Sequence, residues 1–129
     1  MTSCVTMNPL REWLQGALPT VVNPLMEAAS AAVEVLGTER ANVFAVSRDT
    51  HNICDRAGEW LREHPCPDPG IGDEFLFQVE TFALVANYYP TEIQKGTDPM
   101  LLHDSAADFG LELGALIDAT QAKIDRLED

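Results

Sequence analysis

Residues Phe75–Tyr89 read FLFQVETFALVANYY, the longest nearly uncharged run in the chain, with Glu80 its single charged residue. Plotted at 100° per residue, Phe75, Leu76, Val79, Phe82, Ala83, Ala86 and Tyr89 share one face. Phe77, Leu84 and Tyr88 form a second apolar stripe roughly opposite, with Gln78, Glu80, Thr81 and Asn87 between the two. A helix apolar on two faces needs cover on both. The run is therefore expected to be the central helix of a bundle or a helix shared with another subunit. A strand is the competing assignment, since FLFQVE alternates weakly. Fifteen residues is long for a strand, however, and no hairpin turn or partner strand lies nearby.

Outward from this run the chain is punctuated by proline. Asn8-Pro9, Asn23-Pro24 and Asp98-Pro99 each pair a capping side chain with a proline suited to the first helical position. They predict helices over 9–18, 24–36 and 99–127, with Pro19 stopping or kinking the first. Gly37 suits the left-handed residue that ends a helix, and Thr38 can cap the next. A third helix over 39–62 carries Val43/Phe44, Val46/Ser47, Thr50/His51, Ile53/Cys54, Ala57/Gly58 and Trp60/Leu61 as a double apolar row. HPCPDPGIG (64–72) breaks the pattern as a stiff loop, Asp73 can cap the central helix, and Pro90 ends or kinks it. The expectation is an all-α four- to five-helix bundle, mostly antiparallel, with a Pro-rich loop between the third and fourth helices. Residues 1–7 read as a flexible tail and 8–129 as one domain.

The composition is that of a globular domain, 46% hydrophobic and 22% charged, which argues against disorder. Twenty-one acidic residues stand against 8 basic ones, a formal net charge of −13. That balance opposes binding to nucleic-acid backbones or anionic membranes, which need Lys and Arg, and favours a basic protein partner. Three cysteines, Cys4, Cys54 and Cys66, are too few for a disulfide framework. The N-terminus has no basic segment before an apolar one, and no apolar run reaches the ~20 residues a spanning helix requires. A cytoplasmic location is the default expectation.

Candidates for chemistry are sparse. His51 and Cys54 lie one turn apart, and His64 and Cys66 follow. Zinc needs about four converging ligands, and ten helical residues from Cys54 to position 64 span ~15 Å. His103-Asp104 is the dipeptide that anchors HD-type metal phosphohydrolases, and with His51 it defines the alternative metal set His51, His103 and Asp104. The competing reading is a surface pair in the first turn of a helix, where Asp104 complements the helix dipole. Glu-x-x-His pairs, a Gly-rich phosphate loop and a G-x-S-x-G elbow do not occur. The tryptophan–glycine and tyrosine motifs of type VII secretion substrates are not matched either. Here Trp13 and Gly16 are separated by two residues, and Pro90 interrupts Tyr88-x-x-x-Glu92.

Asp104, Asp108 and Glu112 recur every four residues on the last helix, a repulsive spacing that costs a few tenths of a kcal/mol per pair. Ala106, Gly110 and Gly114 make a smooth strip on the same helix. The sequence therefore points to a non-catalytic acidic α-helical protein–protein interaction module of the inhibitor, immunity or adaptor kind, without cofactor or catalytic set. Its interface is expected at Phe77, Leu84, Tyr88, Asp104, Asp108 and Glu112. The partner is a basic protein or a second copy forming a homodimer. The alternatives are a small metal-dependent phosphohydrolase using the His-Asp pair and an apolar-ligand pocket lined by Phe44, Phe82 and Phe109.

Overall fold

The structure, a computed structural model, describes residues 8–38 and 42–128. The expected tail at 1–7, Cys4 and the first three residues expected of the third helix lie outside the described residues. The elements are α1 (Pro9–Ala17), a π-helical turn (Leu18–Val22), α2 (Asn23–Thr38), α3 (Val43–Glu63), α4 (Pro69–Asn87), α5 (Tyr89–Lys95) and α6 (Pro99–Glu128). No strand occurs among the described residues, and the fold is an all-α bundle.

Four helices form a ring. α2 packs on both α3 and α6, α3 packs on α4, and α4 closes the ring against α6 through a thinner contact. Leu25, Cys54, Ala57, Phe75, Val79, Phe82, Phe109, Leu113 and Ile124 fill the main core, which continues into Leu10, Trp13 and Leu14 of α1. A second cluster, with Leu36, Val43, Val46, Tyr89 and Leu102, fills the other part of the bundle. The predicted inner face of the central helix is buried at Phe75, Val79, Phe82, Ala86 and Tyr89.

Side-chain size sets the two α6 seams apart. Against α2, Ala29 and Met26 face Gly110 and Gly114, where an added Cβ would stand 3.9 Å and 3.8 Å from the nearest side-chain atom. The smooth strip thus lies against α2 within the chain, and a methyl group fits at either glycine. Against α4, Phe82 and Phe109 stack with ring centroids 4.0 Å apart, holding the helices off one another.

Proline explains most of the element boundaries. Asn8 caps α1 by accepting from the Leu10 N–H at 3.0 Å. Asp98 does the same for Met100 at 3.0 Å. At Asn23-Pro24, however, the expected restart does not occur. Asn23 has helical φ/ψ and its N–H bonds Leu18 O in the π turn, so the chain runs helically from α1 into α2. The wider turn accommodates Pro19, and the Thr20 hydroxyl donates to Gly16 O at 2.7 Å. The central helix also starts earlier than expected. Asp68, not Asp73, is its cap, accepting from the Ile71 N–H at 3.2 Å with Pro69 at the first position, so the non-helical stretch is only 64–68.

Pro90 separates α4 from α5 as expected and lacks the N–H that would reach Ala86 O four residues back. The buried Ser47 hydroxyl donates to that carbonyl at 2.7 Å, tying α3 to α4. Gly96, at φ 90°, ends α5 with Thr97 N–H bonding Glu92 O and its own N–H bonding Ile93 O, a Schellman closure. Gly37 does not take the left-handed role expected of it. It lies inside α2, where the His103 ring passes 3.5 Å from the position of a Cβ.

Two ion pairs fasten the chain ends, Arg11 to Glu128 and Lys123 to Asp68. Hydrogen bonds from Lys123 and the Ile71 N–H hold the Asp68 carboxyl below its ordinary pKa, and the Arg11 bond does the same for Glu128. A depressed carboxyl pKa adds stability that is complete above the unfolded-state value near 4 and disappears as pH falls through the lower folded value. Asp68→Asn is therefore expected to lower Tm at pH 7 but hardly at pH 2, flattening the acid limb of a Tm–pH profile. On the two faces of α4, Phe75→Ala should cost about 3–5 kcal/mol in urea unfolding. Phe77→Ala should change stability by less than about 0.5 kcal/mol.

Candidate functional site

Phe77, Leu84 and Tyr88 are 63%, 57% and 54% exposed, so the second stripe of α4 is open rather than buried within the bundle. Four helices close the ring using one face of α4, and that leaves the opposite face outside. One helical position round from the stripe, Thr81 and Val85 form one wall of a groove of about 340 Å³ between α4 and α6. Phe82 and Phe109 supply its floor. Leu101, Ser105, Asp104, Asp108 and Glu112 line the α6 side.

The six predicted interface residues thus fall on one side of the molecule. The three carboxylates line the groove, and the apolar stripe borders it along α4, since Thr81 lies four residues from Phe77 and three from Leu84. Leu101, 64% exposed, was missed by the sequence reading, as were Thr81, Val85 and Ser105. Its signal was present in the spacing of Leu101, Ser105, Asp108 and Glu112, one apolar residue heading a polar row on the outer side of α6. No lysine or arginine lines the groove. Among the described residues neither Asp108 nor Glu112 forms an ion pair, and Asp104 meets only the adjacent His103, at 3.1 Å. The row rises ~12 Å from Asp104 to Glu112 in steps of ~6 Å, and each step lies within the ~8 Å Debye length of physiological salt, so neighbouring charges act together on a cation entering the groove.

The other candidates are not brought together. His51 on α3 faces Asp55 at 3.3 Å, while His103 on α6 lies beside Gly37 of α2 and pairs with Asp104. The alternative set His51, His103 and Asp104 is therefore not brought together. Among the described residues no group of three His, Cys, Asp or Glu side chains is placed to hold a metal ion. His64 stacks on Trp60 with centroids 4.3 Å apart, its Nδ1 2.9 Å from Trp60 O. Phe44 is 65% exposed and does not join Phe82 and Phe109, so the three-phenylalanine pocket is corrected too.

Cys54 and Tyr89 are both buried, and burial pushes both the thiol and the phenol up to about 12. Neither ionises near neutral pH, so they offer no nucleophile–base pair. Among the described residues no helix is long and apolar enough to cross a membrane.

Comparison of the chain with protein-family models, curated proteins and solved structures gives no match, so the functional reading stands on this geometry. The Cys54 environment is checked directly by thiol labelling. At pH 8 in the native state Cys54 should resist a disulfide reagent for hours while the half-buried Cys66 reacts slowly; both should react within minutes in guanidinium, as read by peptide mass spectrometry.

Proposed function

We propose that the protein is a non-catalytic interaction module that holds a protein partner on the α4–α6 face. The observation that supports this reading is the exposure of Phe77, Leu84 and Tyr88 along a single helix edge, next to Leu101 and an apolar-floored groove. Scattered exposed apolar residues are ordinary, but a row of large ones beside a groove is a recurrent mark of an interface. Binding would cover the second stripe of α4. A foreign protein and a second copy of the chain both satisfy that requirement.

The test is native mass spectrometry of protein purified gently from its own host, compared with Leu84→Asp and Tyr88→Asp. Both positions are exposed, so each variant should keep its Tm within about 2 °C. A bound protein or a dimer in the wild type, lost in both variants, is the expected result. Retention of the partner by both variants would overturn the assignment of this face. A monomer carrying stoichiometric metal, lost in His103→Ala, would overturn the interaction reading and favour the phosphohydrolase.

A further inference from the structure

Resting on the interaction reading, we infer that the α4–α6 groove receives a basic amphipathic helix from a different protein. The two walls differ in chemistry. The α4 wall presents Thr81 and Val85, backed by Leu84 and Tyr88, over a floor of Phe82 and Phe109. The α6 wall presents three carboxylates at helical spacing with no cation among the groove-lining residues. A helix laid into this groove meets apolar surface below and on one flank, and negative charge on the other. Its complement is an apolar stripe at i, i+3/i+4 and i+7 with Lys or Arg along one edge only. The ~12 Å of the carboxylate row matches two turns and a little more of such a helix.

Charge also selects among occupants. A second copy would set one chain of formal charge −13 against another. A nucleic acid or an anionic membrane would be repelled by the same wall. The repulsion along an acidic row costs a helix stability, and an approaching row of cations relieves it.

The experiment uses the full chain and a synthetic leucine–lysine peptide of about 18 residues, long enough to hold a helix, with all lysines on one flank. Its control is a peptide of equal composition with lysines on every side. Binding is followed by calorimetry at physiological ionic strength. The groove variant Asp104→Asn/Asp108→Asn/Glu112→Gln should bind the flanked peptide about tenfold more weakly than wild type. A variant with the same charge change elsewhere, Glu27→Gln/Asp73→Asn/Asp118→Asn, should lose less than about threefold. Thr81→Arg, at an exposed position on the groove wall, should abolish binding with Tm unchanged. Equal losses in the two triple variants, or equal affinity for both peptides, would reduce the effect to net charge and overturn the inference. A concentration-dependent dimer dissolved by Thr81→Arg would also overturn it, assigning the groove to a second copy. These failures leave the interaction reading standing if Leu84→Asp still releases a host protein; loss of both would show that the reading itself is wrong.

Discussion

The stack of Phe82 on Phe109 is the contact on which the character of this bundle depends. Helices approach one another as closely as the side chains between them allow. Where α6 meets α2, the intervening residues are alanine, glycine and the end of a methionine, and the contact is extensive. Where α6 meets α4, two aromatic rings stand between the backbones and the contact is thin. The ring of four helices therefore closes unevenly, with an extensive α2–α6 seam and a thinner α4–α6 seam. The α4–α6 groove lies over the thinner seam, and the stacked rings make its floor. The same stacking removes both phenylalanines from water and so supports the core.

Much of this architecture was legible in the sequence because helix periodicity and proline chemistry are local signals. Phe75, Val79, Phe82 and Ala86 announced the inner face of α4, and Asn8-Pro9 and Asp98-Pro99 announced two helix starts. Asp68 was overlooked for Asp73 because two glycines and three prolines suggested a longer loop. Capping geometry instead favoured the acid directly before Pro69, and the ion pair with Lys123, fifty-five residues on, reinforces it. Such a long-range partner leaves no trace in local pattern. The candidate face was half legible. The apolar stripe and the acidic row each appeared as a periodicity, but their placement on one side follows from which helices α6 touches, and that is decided by the ring. Leu101 and Thr81 join the groove for the same reason.

Proline also leaves backbone carbonyls without their usual donors, and at Pro90 a neighbouring helix supplies one. Ser47 serves Ala86 O opposite Pro90, making a helix break into a link between α3 and α4. Trp13 performs a related service at the end of α3, its indole N–H donating to His64 O at 2.7 Å while its ring packs edge-on to Phe75. Polar satisfaction and core packing are met by the same side chains. That economy suits a domain whose acidic composition leaves few cations for bonding.

The π turn at Leu18–Val22 has a role as a phase corrector. On a uniform 100° wheel, the buried positions of α2 are displaced by roughly 70° from those of α1, so one straight α-helix could not bury both sets. A five-residue π segment turns through fewer degrees per residue and takes up about that difference. Leu10, Trp13 and Leu14 thereby face the same core as Leu25, Ala28 and Ala32 although no loop intervenes. Chain length here is consequently a rotational variable. Regularising the segment to α-helix at constant length would swing the α1 aromatic face away from Trp60 and Phe75, whereas removing one residue along with the π turn would keep the two faces roughly in phase.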